Sequence, residues 1–289
     1  MQKRRVHIGD RAREIKKKRK SRTRRTVVLV LVGVLFVIGG IVYLQNIPKF
    51  QITKIEVQGT HVISPIEVEE TVRDTLVGKY AHLVPKTNAL IYPKKKVAEV
   101  VTLKYPRAES MTVTHSAWDT LTISIVERES VYLWCGDSVT SETVNGKNCY
   151  FADDRGFLFS KAPYFSGIVY LKMFGGLSGD GNEIVGKHIL DRETFDKMLK
   201  FVESVKTLDV IPHGLVFYPN GERALLLSTE LSEDKQKIIF TGDATDTVLE
   251  NLTAALAGDP LKKDFKEKFD SLRYIDLRYP NKVYYKFQD

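Results

Sequence analysis

The chain has 289 residues, 43% of them hydrophobic and 28% charged, which is the balance of a folded protein of about two domains and excludes a chain disordered throughout. Its 2 cysteines, 19 glycines and 10 prolines exclude disulfide-dense, collagen-like and low-complexity proteins. Residues 1–25 hold 13 Lys/Arg and two acids, so the net charge of +8 belongs to this tail, and the nearly neutral remainder argues against a nucleic-acid-binding domain there.

Residues 26–44 follow the basic tail and contain no charged side chain. These 19 residues would form a helix of about 28 Å, close to the hydrocarbon thickness of a bilayer. We therefore predict a transmembrane helix rather than a buried core helix, which is rarely apolar on every side over this length. A cleaved signal peptide is the other alternative, but it has a shorter apolar core and ends in small residues, whereas residues 43–48 read YLQNIP.

The basic tail also predicts orientation, because positively charged flanks remain on the cytoplasmic side. The N-terminus is thus predicted to be cytoplasmic and the bulk of the chain extracytoplasmic or periplasmic. The expected arrangement is a single-pass type II protein of the cell (inner) membrane.

The segment that follows predicts a small domain with the order β-α-α-β-β. Residues 52–59 alternate between apolar and polar side chains, as a strand does. Ser64 and Glu67 form a capping box with Pro65 at the first helical position, which predicts a helix over residues 64–78. The remaining predicted elements are a helix over 93–103 and strands over 111–116 and 121–125.

Residues after 129 predict a second domain built mainly of short strands separated by turn residues. Strands are predicted over 131–135, 148–152, 157–159, 168–174, 210–218, 223–229, 274–279 and 283–287, and helices over 191–206, 245–257 and 262–269. The fold class is therefore α+β. Its predicted parts are a basic tail (1–25), a transmembrane helix (26–44), a small domain with a short linker (45–128) and a mostly antiparallel β domain with flanking helices (129–289).

The two cysteines lie in this second domain. Asn145-Gly146 is a strong signal for a two-residue hairpin turn, and a hairpin there would bring Cys135 and Cys149 together. Outside the cytoplasm a disulfide between them can persist, and two buried thiols are the alternative.

No set of residues in the sequence predicts catalysis. Residues 181–187 match the phosphate-binding pattern GxxxxGK, but His188 stands where the magnesium-binding Ser or Thr belongs. The six histidines show no metal-ligand spacing, and Asp153-Asp154 before Arg155-Gly156 is typical of a turn. We therefore predict a binding protein that is not an enzyme and uses no cofactor, metal or small-molecule substrate.

The two strands at the end of the chain carry many aromatic side chains, namely Tyr274, Tyr279, Tyr284, Tyr285 and Phe287. Alternation predicts that part of this set packs inward as core and leaves the rest outside. A last strand at a sheet edge exposes unpaired backbone groups. An extended partner segment could therefore add to it by β-augmentation.

Five short segments carry a family resemblance. They are residues 50–59 (FQITKIEVQG), Tyr105-Pro106, residues 125–129 (IVERE), residues 150–156 (YFADDRG) and residues 274–281 (YIDLRYPN). In this order they resemble the opening, the interior and the exit of an FtsQ-type POTRA domain, the start of the following β domain and its terminal signature. The chain thus resembles, over nearly its whole length, the FtsQ/DivIB family of bacterial cell-division proteins.

The resemblance implies a POTRA domain within residues 45–128 and a non-enzymatic scaffold at the division septum. Members of the family join the small FtsB and FtsL coiled-coil proteins, contact other divisome proteins, and thereby regulate septal peptidoglycan synthesis. Their FtsB segment adds to the terminal strand. Aligned on residues 276–279 (DLRY), this implicates Tyr279 and Phe287 in partner binding, with Arg278 and Tyr285 beside them.

Two other classes of protein share the predicted topology. A membrane-anchored cell-wall enzyme would need a nucleophile–base pair or a metal constellation. An envelope assembly factor that uses its POTRA domain would usually carry several POTRA copies and a barrel. Both are kept as alternatives to the division scaffold.

Overall fold

The computed structural model of the chain has an α+β fold. It describes residues 8–45, 50–82, 84–144, 148–167, 169–177, 183–242 and 246–288. The chain divides into two compact units. The first comprises the residues up to Lys104 together with Ser110–Ile125, and the second comprises Tyr105–Glu109 and Val126–Asp289.

Helix α1, Ile8–Gln45, runs for 38 residues through both the basic and the apolar segment. Its first half contains Ala, Glu, Lys and Arg, which favour helix, so the helix begins well before residue 26. Among the described residues, no helix combines the length and the apolar character that crossing a bilayer requires. The prediction of a transmembrane helix over residues 26–44 is therefore wrong, and the apolar residues form the second half of a longer helix that is charged in its first half.

A three-stranded sheet and two helices form the body of the first unit. In chain order the elements are β1 (Lys54–Gln58), α2 (Pro65–Thr75), β2 (Lys79–Tyr80), β3 (Val84–Pro85), α3 (Lys94–Lys104), β4 (Ala108–Ala117) and β5 (Thr120–Glu127). The sheet has the order β1-β5-β4, with β1 parallel to β5, and β2 pairs with β3 separately. Fully buried apolar side chains of α2, α3 and β5 form the core, among them Val72, Val97 and Leu121.

Two residues fix the path of the chain between β1 and α2. Ser64 caps α2, because its hydroxyl accepts a hydrogen bond from the backbone N–H of Glu67, and Pro65 is the first helical residue. Gly59 has a φ of +79°, and a Cβ at this position would lie 2.3 Å from the carbonyl oxygen of Ile125. A side chain at position 59 would therefore collide with β5, so this close approach requires glycine.

A nine-stranded sheet dominates the second unit. Its elements are β6 (Tyr132–Trp134), α4 (Ser141–Val144), β7 (Tyr150–Ala152), β8 (Leu158–Lys161), β9 (Leu171–Gly175), α5 (Arg192–Lys206), β10 (Gly214–Phe217), β11 (Glu222–Leu226), β12 (Lys237–Thr241), α6 (Asp246–Ala257), α7 (Leu261–Glu267), β13 (Leu272–Tyr279) and β14 (Lys282–Phe287). The strand order is β14-β13-β12-β11-β10-β9-β6-β7-β8. The terminal strand β14 therefore lies at one edge of this sheet.

The large sheet is mixed: five of its strand pairs are antiparallel, and three are parallel, which the sequence did not predict. The pairs β6–β9, β9–β10 and β12–β13 are parallel. Parallel neighbours need a crossover connection, and helices supply two of them: α5 lies between β9 and β10, and α6 and α7 lie between β12 and β13. Helices were predicted in the regions of α5, α6 and α7, but the parallel strand pairs that they connect were not predicted.

The two faces of the sheet carry separate cores. The larger core joins the sheet to α5, α6 and α7 and buries Phe195, Met198 and Phe240. The smaller core on the other face contains Phe159 and Phe174. It also contains the two cysteines.

Cys135 and Cys149 form a disulfide with an S–S distance of 1.97 Å. Strands β6 and β7 are antiparallel neighbours and bring the two residues together. The predicted turn at Asn145-Gly146 lies outside the described residues, and α4 lies within the connection between the two strands. The antiparallel pairing of the two predicted strands and the disulfide are thus confirmed, and the short helix in their connection was not predicted.

Candidate docking edge of the large sheet

The two edges of the nine-stranded sheet differ in how their backbone is covered. At the β8 edge, the N–H of Leu158 donates to the carbonyl of Lys187 at 2.8 Å, and the N–H of Gly186 donates to the carbonyl of Leu158 at 2.7 Å. Phe157 also forms a bridge with His188. A loop of the same chain therefore covers the start of this edge and satisfies the backbone groups of Leu158.

At the opposite edge, β14 pairs with β13, and the described part of the chain places no strand on its other side. The N–H of Gln288 donates to the carbonyl of Ser271 at 2.6 Å, so position 288 faces β13. Backbone groups alternate along an antiparallel strand. The N–H and C=O groups of Val283, Tyr285 and Phe287 therefore point away from β13, where an added strand could bond to them.

Aromatic side chains flank this backbone edge in two pairs. The rings of Tyr279 and Tyr284 meet edge to face with centroids 5.3 Å apart, and those of Tyr285 and Phe287 meet in the same way at 5.9 Å. Tyr279 and Tyr284 are about half exposed, at 50% and 49%, and Tyr285 is 36% exposed. Phe287 is half-buried against the larger core. Each pair thus presents apolar ring surface beside unpaired backbone, a combination that suits an extended polypeptide.

A two-residue turn sets the position of these rings. Asn281 has a φ of +60°, and Pro280 precedes it, which is the combination typical of a type II turn. The pairing of β13 with β14 shifts register between Asp276 and Tyr279. The register shift brings Tyr279 opposite Lys282 and leaves its ring beside that of Tyr284.

A groove lies next to the same strand on the side of α6 and α7. Its volume is about 300 Å³, and Val283 and Tyr285 of β14 line it together with Ala254 and Pro260. The groove begins at the point where the outward backbone of β14 is open. A side chain of an added strand could therefore be buried there.

Arg278 is held by two carboxylates of its own chain. Its Nε and Nη2 donate to the two oxygens of Asp276 at 2.9 and 2.6 Å, and its Nη1 donates to Glu222 at 2.6 Å. Asp276 is only 5% exposed. This network ties β13 to β11, so the geometry assigns Arg278 to positioning the strand that supports β14.

The network also changes the proton affinity of its acids. Burial on its own would raise the pKa of Asp276, but the hydrogen bonds and charge of Arg278 outweigh burial and hold the pKa below its usual value. The hydrogen bond from Arg278 likewise lowers the pKa of Glu222. Both carboxylates therefore stabilise the fold when ionised.

Replacing Arg278 with methionine is expected to lower stability at neutral pH by about 1–3 kcal/mol, because the buried carboxylate of Asp276 loses its charged side-chain donors and keeps only the backbone N–H of residue 278. Since folding depresses the pKa values of Asp276 and Glu222, their stabilisation is present above the unfolded-state values of about 4 and is lost as pH falls through the folded-state values. Urea unfolding between pH 3 and pH 7 should therefore show a steeper acid loss for the parent chain than for R278M.

Arg273→Met is the matched control for this measurement. Arg273 lies on the same strand, and its Nη1 donates to the backbone carbonyl of Asp234 at 2.6 Å rather than to a carboxylate. Its removal should leave the acid dependence unchanged. An R278M curve parallel to the parent curve over this pH range would contradict the assignment.

The other residues considered from the sequence lie away from the docking edge. Five strands separate β14 from β6, so the disulfide lies in a different part of the sheet. Asp153 forms a turn, because its carboxylate accepts the backbone N–H groups of Arg155 and Phe157 at 2.9 Å each. Part of the GxxxxGK segment lies outside the described residues, and its Gly186 and Lys187 cover β8. No group of three or more His, Cys, Asp or Glu that could hold a metal occurs in the part of the chain that the structure describes.

The structure brings Tyr285 beside Phe287, and it places Tyr279 beside Tyr284 in a separate pair. Tyr284 was visible as one of the terminal aromatics, and strand alternation could have separated the outward backbone positions from the inward ones. Glu222 carries no local signal, because its contact with Arg278 joins residues far apart in sequence. No protein-family model matches the chain, and no curated protein matches it at a significant level.

Proposed function

We propose that this chain is a non-enzymatic docking protein of the bacterial division machinery, of the FtsQ/DivIB kind. In this proposal it captures an extended segment of an FtsB-like protein by strand addition at β14. Through that protein and an FtsL-like partner it regulates septal peptidoglycan synthesis. The observation that carries the proposal is the open backbone edge of β14 between two pairs of aromatic rings.

The contrast between the two sheet edges supports this choice of site. A loop covers the start of β8, which is one way that an edge strand avoids pairing with other chains. Strand β14 has no such cover among the described residues, although it carries two exposed tyrosines, Tyr284 and Tyr285. An edge of this kind is an aggregation risk unless a partner uses it. Partner binding therefore gives a physical reason for leaving it open.

Two further observations are consistent with the proposal. The segments that resemble FtsQ/DivIB proteins include residues 274–281, which form most of β13 and the turn into β14. The disulfide between Cys135 and Cys149 favours an oxidising compartment outside the cytoplasm. We accordingly propose that the second unit acts outside the cytoplasm at the division septum.

The double variant Tyr279→Ala, Phe287→Ala is expected to weaken capture of the FtsB-like protein by at least about tenfold, since each change removes aromatic surface at the proposed interface. Pull-down of the full chain with an FtsB-like protein of the same organism provides the measurement. Cells that depend on the double variant should form filaments or chains with unsplit septa.

Tyr80→Ala is the matched control, because Tyr80 is also partly exposed, at 38%, but lies in the first unit. It should bind as the parent chain does. Thermal unfolding separates binding from folding, since Phe287 contributes to the core and its loss alone should lower stability. Capture by the double variant at parental strength would reject the site, and normal division with other envelope defects would reject the division role.

A further inference from the structure

A second cavity opens on the face of the large sheet that carries the smaller core. Its volume is about 570 Å³, which lies within the range of small-molecule sites. Strand β9, the end of α4 and the segment after β11 contribute to its wall. It therefore lies on the far side of the sheet from α5, α6 and α7, whose face holds the larger core.

A buried lysine lies in the wall of this cavity. Lys172 of β9 is 6% exposed, and its Nζ donates to the backbone carbonyl of Val144 at 2.7 Å. An ammonium group has three donors, and this is the one hydrogen bond that Nζ makes within the described chain. The acid in the cavity wall, Glu230, pairs with Lys235 instead, at 3.3 Å. Lys172 thus has no carboxylate partner among the described residues.

A buried cation without a counter-ion is costly to keep in a fold. Burial lowers the pKa of Lys172, which is the expected response of an ammonium group removed from water. The flanking residues Leu171 and Met173 are apolar, and an apolar side chain at position 172 would avoid the cost altogether. A bound anion would offset it.

The rest of the cavity wall offers further donors and an apolar surface. The hydroxyls of Ser141 and Thr229 make no hydrogen bond within the described part of the chain, and Ser232 uses its hydroxyl oxygen to accept from the N–H of Asp234. Phe165 adds an aromatic ring. Lys235 also lines the cavity but pairs with Glu230, so Lys172 is the ammonium group of the wall without a carboxylate partner in the described chain. Hydroxyl donors around it suit the oxygens of a carboxylate or phosphate, and the ring suits an attached carbon skeleton.

We infer that this cavity is a binding site for a small molecule that carries an oxyanion, with Lys172 as the charged anchor. Ser141, Thr229 and Ser232 supply neutral donors to the remaining oxygens. The site is independent of the docking edge at β14. Its test does not depend on the proposed division role.

The test is thermal unfolding of the full chain in the presence of inorganic phosphate or of N-acetylglutamate, each compared with sodium chloride at equal ionic strength. A ligand that binds the folded state raises the unfolding temperature with concentration. Lys172→Met is expected to weaken this effect by about tenfold or more in ligand concentration, because the charge-assisted contact is lost. Without ligand, K172M should be as stable as the parent chain or more so, because the uncompensated charge is gone.

Phosphate stabilises any folded protein to some extent, and comparing the rise in unfolding temperature of the parent chain with that of K172M corrects for this general effect. Lys161→Met is the matched control, since Lys161 is exposed on β8 and should leave the response intact. A response to phosphate alone or to N-acetylglutamate alone identifies which oxyanion the site prefers. Equal responses of the parent chain and K172M would overturn the inference, as would a parent chain that responds to neither probe while K172M unfolds at a lower temperature.

Discussion

A proline in place of Tyr285 is expected to abolish capture of an extended partner while the large sheet stays folded. The backbone N–H of Tyr285 points away from β13, so proline removes a donor that an added strand would use and none that the sheet itself uses. Binding of the proposed FtsB-like partner to the full chain should fall by about a hundredfold or more, since an added strand depends on main-chain hydrogen bonds along its length.

Two further variants of β14 separate the loss of the Tyr285 N–H from the loss of its ring and from damage to the sheet. Tyr285→Ala removes the same ring but keeps the N–H, so it should bind more tightly than Y285P. Lys286→Pro removes an N–H that points toward β13, opposite Tyr274, and should lower the unfolding temperature of the chain. If Y285P and Y285A bind equally well, the partner does not use the backbone of β14 and strand addition is wrong.

Gly59→Ala is expected to destabilise the first unit by about 3 kcal/mol or more. The change forces alanine into the left-handed region at φ +79° and places its Cβ 2.3 Å from the carbonyl oxygen of Ile125. The strain can be relieved only by separating the end of β1 from β5. Hydrogen exchange followed by mass spectrometry should therefore show faster exchange in both strands, with the second unit unchanged.

Gly78→Ala is the matched control in the same unit. Gly78 has a φ of +96°, but the nearest atom to its added Cβ would be Nζ of Lys86 at 3.9 Å, at the end of a flexible side chain. The loss of stability caused by Gly78→Ala is thus limited to the strain of a left-handed backbone at alanine, about 1–2 kcal/mol. The difference between the two variants measures the collision with β5, and equal losses would show that no such collision exists.

Local patterns in the sequence were sufficient for most of the helices and for the terminal hairpin. The cap at Ser64 predicts the start of α2 because its chemistry is complete within four residues. The apolar periodicity of α5 predicts a helix over 191–206, and the helix spans Arg192–Lys206. The aromatic strands around Pro280-Asn281 were predicted from alternation and a turn signal.

Features that depend on distant parts of the chain were not predictable in this way. Strand β12, Lys237–Thr241, was missed because its five residues follow a charged segment and show no clear alternation. Its parallel pairing with β13 depends on a crossover of two helices. The cover of β8 by Lys187 and the contact of Arg278 with Glu222 are tertiary contacts, on which local propensity carries no information.

The apolar segment was misinterpreted for a related reason. Counting uncharged residues located the apolar segment 26–44 but not the ends of the helix that contains it. Helix α1 starts at Ile8, because the basic residues that precede the apolar segment favour helix as well. The apolar composition of residues 26–44 was therefore interpreted as a complete helix, although these residues are only part of α1.

The unequal edges of the large sheet limit how copies of this unit could stack on one another. Growth into a fibril through this sheet needs a free strand edge on each side, and the loop bonded to Leu158 blocks the start of the β8 edge. Two copies meeting through β14 would use the same face on each side and close into a symmetric pair, with no surface left for a third. Self-association of two copies through β14 is therefore self-terminating, and a partner segment bound to β14 would prevent this pairing.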